Sequence, residues 1–125
     1  MVKTLLCWLL AVFFLLAGIA HFTQTASFAA IVPPVLPFKH LIVQVTGAME
    51  LAFAVGLVVP SWRRVTGLAL SAFLLAVLPA NIHMAIVGMP LGEMSSPIAL
   101  WFRVFLQFPL IVLVLWACGS LRRTA

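Results

Sequence analysis

Long apolar runs, separated by short breaks, make up most of the chain. Four of them have roughly the 17–25 mostly apolar residues that a helix needs to cross the hydrocarbon core of a bilayer. They cover residues of about 4–22, 41–59, 65–87 and 96–119. Because the runs are continuous and do not alternate in polarity, they favour helices over barrel strands. The pattern predicts an all-α integral membrane protein, with four antiparallel transmembrane helices in a single domain spanning residues 1–125.

Composition excludes the main alternative class, a water-soluble domain. The residues are 66% hydrophobic and only 7% charged, and the mean hydropathy is +1.30. Soluble domains contain roughly 25% charged residues, and a soluble fold of this length could not bury so much apolar surface. There is also no basic stripe with interleaved aromatic residues, so the net charge of +5 does not indicate a nucleic-acid partner.

The first run has a second interpretation. Lys3, the apolar stretch after it and the sequence Gly18-Ile19-Ala20 resemble a secretory signal with a small-residue cleavage site. The length of the run and the lack of polar residues directly after it favour a membrane helix.

The connection between the first and second runs, residues 23–40, is unusual because it is apolar and rich in proline. The sequence FAAIV at 28–32 is followed by Pro33, Pro34 and Pro37. Proline ends helices and favours extended backbone. We therefore expect a short interfacial helix and then an extended segment that lies back on the bundle. The connection at 88–97 is rich in glycine and proline and has the composition of an ordinary turn.

Basic residues predict the orientation. With four spans, one side of the membrane receives Lys3, Arg63, Arg64, Arg122 and Arg123, and the other side receives Lys39 and the acidic Glu93. The positive-inside rule places both termini in the cytoplasm, and a bacterial inner membrane is the expected location. Cys7 and Cys118 then lie on the cytoplasmic side without a C-x-x-C spacing, so we interpret them as packing or lipid-facing residues.

Polar residues inside the runs are the candidate functional site, because ionisable groups are costly at membrane depth. All of them fall in the outer half of the membrane, and the inner halves are almost purely apolar. At 1.5 Å per residue, Glu50 lies roughly 14 Å from the outer end of its helix and Arg103 roughly 10 Å. The candidate pocket residues are His21, Gln44, Glu50, Asn81, His83, Arg103 and Gln107.

These positions predict a polar pocket between the helices, covered by the proline-rich connection. Neither Glu50 nor Arg103 is expected to stand alone in hydrocarbon, so we expect the two to form a buried ion pair. A purely structural role, fixing helix register, is the alternative. The two histidines lack the spacing of a metal or haem site, and no metal is expected.

Two further sequence features bear on packing. Pro79 is expected to kink the third helix and to free a backbone carbonyl one turn earlier. Small residues are expected at close helix contacts. They are Ala17, Gly18, Gly47, Gly67 and Ser71.

Several motifs resemble those of the DoxX-like family of membrane proteins. They are AGIAHF at 17–22, IVPPVLP at 31–37, TGAME at 46–50 and LPANIHMA at 78–85, in the expected order. The last family motif, usually RLPLQ, reads RVFLQ at 103–107, which keeps the arginine and the glutamine but loses the proline. The resemblance implies a four-helix membrane bundle. It marks His21, Glu50, Asn81, Arg103 and Gln107 as motif positions without assigned roles.

The resemblance implies function only loosely, since family members include a membrane subunit associated with thiosulfate:quinone oxidation, and distant relatives assist membrane-protein assembly. The first hypothesis is a redox-associated membrane subunit or binding protein for a quinone or lipid-like molecule, not an enzyme by itself. The second is an assembly factor without chemistry. The third is a small proton-coupled exporter, which the position of Glu50 in the second helix disfavours. Expected partners are membrane lipids, another membrane or redox protein, or further copies of the chain.

Overall fold

The computed structural model describes residues 1–88 and 96–121. It is all-helical over these residues, with α1 (Val2–Thr23), α2 (Thr25–Ile31), α3 (Lys39–Val58), α4 (Arg63–Val87) and α5 (Pro97–Ala117). All but α2 are long and apolar enough to cross a membrane. Their ends agree with the predicted runs to within two residues, since runs of 20 or so apolar residues leave little freedom in placing a helix.

One half of the bundle is an apolar core. Its centre contains side chains that are almost completely buried, among them Phe14, Leu57, Leu70 and Val114. They come from four different helices, so α1 is an integral part of the core. This packing is what the membrane-helix interpretation of the first run predicts.

Glycines allow α1 and α3 to approach closely, and these two helices form the most extensive contact in the bundle. A Cβ at Gly18 would lie 2.8 Å from Leu51 Cδ2 and 3.0 Å from the carbonyl oxygen of Gly47. A Cβ at Gly47 would lie 2.6 Å from the Cβ of His21. Small residues at such crossings let backbones meet, and dispersion contacts then stabilise the pair.

Similar contacts join the other helices at the end of the bundle that contains the loop between α3 and α4. Gly56 of α3 faces the side chain of Thr66, and a Cβ at Gly67 of α4 would lie 2.6 Å from the Cβ of Cys118. Ser71 is buried and donates from its hydroxyl to the carbonyl of Gly67 at 2.8 Å. Gly18, Gly47 and Gly67 therefore mark close packing as predicted, and Gly56 is an additional such residue. Ala17 lines the cavity described below.

Basic side chains lie at this same end. Arg63 Nε donates to the carbonyl of Leu57 at 2.7 Å, which satisfies a backbone group at the end of α3. The Lys3 ammonium lies 4.8 Å from the ring centroid of Trp116, close to the end of α5. The predicted positions of Glu93, Arg122 and Arg123, and most of the 88–97 connection, lie outside the described residues.

The proline-rich connection packs on the opposite end. Ala29, Ile31 and Val32 are buried, so α2 and the residue after it are packed against the long helices. Phe38, directly after Pro37, has a left-handed backbone conformation (φ 55°, ψ 46°) and starts α3. The short helix predicted for this connection is present as α2. The segment after it contains a turn, in which the N–H of Leu36 donates to the carbonyl of Pro33 at 3.0 Å, in place of the extended backbone that was expected.

We expect Gly47→Val to destabilise the bundle because its side chain would displace His21 from the α1–α3 contact. Overpacked positions cost about 1–3 kcal/mol in proteins. The apparent unfolding temperature in detergent should fall well below that of Ala48→Val, which places the same side chain on the exposed neighbouring position. Equal stability of the two variants would contradict the close approach.

Cys7 and Cys118 are free thiols, 0% and 7% exposed, and Cys7 Sγ contacts the carbonyl oxygen of Ala117 at 3.5 Å. Of the two predicted roles, packing is the one observed.

Because burial blocks reagent access to Cys7 and Cys118, we expect slow maleimide labelling of the folded protein and labelling of both thiols after denaturation in SDS. Ser61→Cys, in the exposed α3–α4 loop, should add one rapidly labelled thiol. Fast modification of the wild-type protein in mild detergent would refute the packing.

Candidate functional site

A cavity of about 270 Å³ lies between the helices, at the end covered by α2. It is lined by the later parts of α1 and α4 and by the earlier parts of α3 and α5. The apolar core fills the other halves of these helices. The polar residues therefore gather at one end of the bundle.

Most of the predicted pocket residues line this cavity. They are His21 from α1, Glu50 from α3, Asn81 from α4, and Arg103 and Gln107 from α5. Apart from Thr46, the remaining described wall is apolar and includes Phe14, Ile31 and Leu74. The cavity is thus amphipathic, with a few polar groups set in a largely hydrocarbon surface, which is the usual composition of a small-molecule site.

His21 and Glu50 meet where α1 and α3 approach each other. His21 Nδ1 lies 2.8 Å from the carbonyl oxygen of Ala17, one turn earlier in α1, and 3.1 Å from Glu50 Oε2. The short distance to a carbonyl oxygen places a hydrogen on Nδ1, since only a donor is compatible with it. The His21 ring also stacks on Phe28 of α2, with centroids 4.1 Å apart and planes inclined by 18°.

One oxygen of Glu50 has no hydrogen bond among the described residues. Glu50 is only 8% exposed, and its Oε2 is completely buried. The Nδ1 hydrogen of His21 points to Ala17, so the 3.1 Å approach puts the imidazole next to Oε2 without a hydrogen bond to it. Buried polar atoms are nearly always satisfied, and an exception calls for an explanation.

The predicted ion pair between Glu50 and Arg103 is wrong. In the part of the chain that the structure describes, Glu50 lies beside His21 instead, with Oε2 3.1 Å from Nδ1, while Arg103 Nη1 lies 3.8 Å from Met84 Sδ. The physical reason is helix pairing. The close α1–α3 crossing brings His21 to Glu50, whereas α5 packs against α4 and turns Arg103 toward Met84.

Asn81 and Gln107 form a hydrogen-bonded pair between α4 and α5. Asn81 Nδ2 donates to Gln107 Oε1 at 2.8 Å, and Gln107 Nε2 donates to the carbonyl of Leu74. Gln107 is buried, and both ends of its amide are satisfied. Pro79 lies within α4 and lacks the N–H that would bond to the carbonyl of Leu75. The carbonyl of Leu75 was therefore the expected free acceptor, but Gln107 bonds to the neighbouring carbonyl of Leu74.

Two predicted pocket residues do not line the cavity. Gln44 is exposed on the outside of α3, because six residues separate it from Glu50 and this spacing turns it away from the Glu50 face. His83 is half-buried on α4, and its Nδ1 is buried without a hydrogen-bond partner among the described residues. No three His, Cys, Asp or Glu residues in the described ranges are grouped so that they could hold a metal ion.

The sequence did not predict that Phe28 is part of the site. Phe28 was recognised only as one apolar residue of the 23–40 connection, yet it lines the cavity and covers one face of His21. The presence of an aromatic residue in this apolar connection was the feature of the sequence that could have indicated a role for Phe28. Its contact with His21 depends on how α2 folds back onto the bundle, which no local sequence pattern specifies.

These features define a class: a bundle with four helices apolar enough to span a membrane, enclosing an amphipathic cavity at one end. The chain belongs to the family described as Domain of unknown function (DUF8561), whose model matches residues 10–118. The match includes every residue that lines the cavity. No curated protein and no solved structure matches the chain. The resemblance of its motifs to the DoxX-like family stays a prediction.

The Asn81–Gln107 pair can be tested by a double-mutant cycle with Asn81→Leu and Gln107→Leu. Each single change leaves the partner's polar group unpaired in an apolar surrounding, so the two changes should be less than additive. Inter-helix hydrogen bonds in membrane proteins average about 0.6 kcal/mol and reach about 1.7 kcal/mol. We expect a coupling energy within this range from unfolding in SDS titrations. Gln44→Leu, on the exposed face of α3, should show no coupling with Asn81→Leu, and additive effects for the 81–107 pair would rule out the bond.

Proposed function

We propose that this protein is an integral membrane protein that holds a small amphipathic molecule, a quinone or a lipid-like compound, in the cavity between its helices. The observation that carries the proposal is Glu50, which lines the cavity and whose buried Oε2 has no hydrogen-bond partner among the described residues. A ligand O–H or N–H that bonds to this carboxyl group would offset the cost of burying it unpaired.

Arg103 supplies the complementary group. Its guanidinium has five N–H donors, and its contact within the described residues is the weak acceptor Met84 Sδ. A ligand oxygen at Arg103 and a ligand donor at Glu50 would together orient a polar head. Phe14, Ile31 and Leu74 would contact its apolar part.

The proposal includes an antiparallel arrangement with both termini in the cytoplasm. It is supported by contacts that run in opposite directions along the helices, such as Gly67 with Cys118 and Asn81 with Gln107. Lys3 and Arg63 lie at the end away from the cavity, as the positive-inside rule requires of a cytoplasmic end. The cavity would then occupy the outer half of a bacterial inner membrane, with α2 as its interfacial cover.

The proposal includes a redox-associated role, in which the chain is a subunit or binding protein and not an enzyme by itself. Quinones combine an oxygen-bearing ring with a hydrocarbon tail, which suits an amphipathic cavity. The motif resemblance to the DoxX-like family points in this direction too. A second membrane or redox protein would be the partner that exchanges electrons with the bound molecule.

The assembly-factor alternative predicts that the polar residues satisfy one another. Asn81 and Gln107 do so, and they are consistent with a structural clamp. Glu50 and Arg103 do not have such partners among the described residues. This difference is why we favour a ligand.

The test is to purify the protein from native membranes in mild detergent, extract it with organic solvent and quantify the extract by mass spectrometry. We expect a quinone or lipid in near-stoichiometric amount. Glu50→Gln keeps the size of the side chain and Arg103→Ala removes the guanidinium. Loss of a hydrogen bond to a charged group costs about 1.5–3 kcal/mol, so each variant should retain roughly tenfold to a hundredfold less ligand.

Gln44→Leu is the matched control, because it removes a polar side chain from α3 outside the cavity and should leave the extracted amount unchanged. Absence of any enriched quinone or lipid from the wild-type protein would contradict the proposal. So would equal amounts in wild type, Glu50→Gln and Arg103→Ala. A stoichiometric protein partner without a small molecule would favour the assembly-factor alternative.

A further inference from the structure

A second depression, a groove of about 680 Å³, lies between α3 and α4. It borders the cavity, because five side chains line both. They are Val32, Ile42, Thr46, Val77 and Ala80. The cavity and the groove therefore meet at these side chains.

The described residues that line the groove provide no free hydrogen-bonding group for a polar ligand. Thr46 is the one polar residue lining it, and its hydroxyl lies 2.9 Å from the carbonyl oxygens of Ile42 and Val43 in its own helix. All other lining residues are apolar, including Met49 and Phe53. Such a surface is complementary to a hydrocarbon chain and disfavours a polar head.

The gap between the two helices has a sequence origin. Near their connecting loop, α3 and α4 are in contact through Gly56 against Thr66 and through the rings of Phe53 and Phe73, whose centroids are 5.3 Å apart. Further along, α4 presents alanines to the groove, at 69, 72, 76 and 80, spacings that keep them on one helix face. Methyl groups leave room beside the helix, and Pro33 and Leu36 border the space from the proline-rich connection.

We propose that this groove holds the hydrocarbon tail of the molecule whose polar head lies in the cavity. The inference rests on the proposed function and narrows the ligand class to an amphipath with an oxygen-bearing head and a single chain. The head lies among Glu50, Arg103 and His21, and the chain leaves the protein laterally between α3 and α4. The unpartnered Oε2 of Glu50 at one end and the apolar groove at the other define the direction of the ligand.

The test compares two probes, whose O–H groups can donate to Glu50, on purified protein by isothermal titration calorimetry under anaerobic, reducing conditions: 2,3-dimethoxy-5-methyl-1,4-hydroquinone and the same ring with a decyl tail. Wild-type protein should bind the decyl compound at least about tenfold more tightly, since each buried methylene adds affinity. The groove is filled in the variant Ala72→Leu/Ala76→Leu, which adds leucines at two exposed groove positions. We expect this variant to bind both probes about equally, with its affinity for the tail-free ring within about twofold of wild type.

The matched control is Ala48→Leu/Ala52→Leu, which makes the same change at two exposed positions of α3 that line neither the cavity nor the groove. It should keep the full advantage of the decyl tail. Unchanged binding of the tail-free ring shows that the groove variant is folded, and Glu50→Gln should weaken both probes by the same factor.

The outcomes separate the two proposals. If both probes bind wild type equally, or if the groove variant keeps the tail advantage, the proposed function stands and the tail groove is wrong. If neither probe binds wild type, the proposed function fails for this ring and the groove inference fails with it. A change of oligomeric state in the groove variant without a change in the tail advantage would assign the groove to a second copy of the chain and overturn the inference.

Discussion

The close approach of α1 and α3 is the constraint on which the site depends. Gly18 and Gly47 remove the side chains that would hold the helices apart, and each helix then contacts the backbone of the other. The same crossing sets His21 Nδ1 3.1 Å from Glu50 Oε2. Without it, the carboxyl group would have no imidazole beside it in an apolar surrounding, and an isolated ionisable group is among the costliest features of a membrane protein.

The bundle has two halves that differ in their packing. Toward the α3–α4 loop the helices are packed by apolar side chains such as Phe14 and Leu70, and Arg63 donates to the carbonyl of Leu57 at the end of α3. Toward α2 they separate around an amphipathic cavity. Tight packing in one half stabilises the fold, so the other half can hold polar groups that do not all satisfy one another.

The two polar groupings in the cavity differ in kind. Asn81 and Gln107 bond to each other and to the carbonyl of Leu74, which ties α4 to α5. Glu50 and Arg103 line the same space, yet the described residues provide neither of them with a strong hydrogen-bonding partner. The first grouping is explained by structure alone, whereas the second is the basis of the proposed ligand. The apolar groove next to the cavity is where we propose that the tail of this ligand lies.

The sequence by itself determined the helices, because runs of about twenty apolar residues permit few other structures in a bilayer. It also predicted that His21, Glu50, Asn81, Arg103 and Gln107 share one pocket, since their depths along the four runs agree. Only the tertiary structure decided which of them meet. Helix pairing and rotation joined Glu50 to His21 instead of Arg103, placed Gln44 outside, and brought Phe28 onto His21. Depth is a property of one helix and can be counted along the chain, whereas contact depends on packing between helices, which no single run contains.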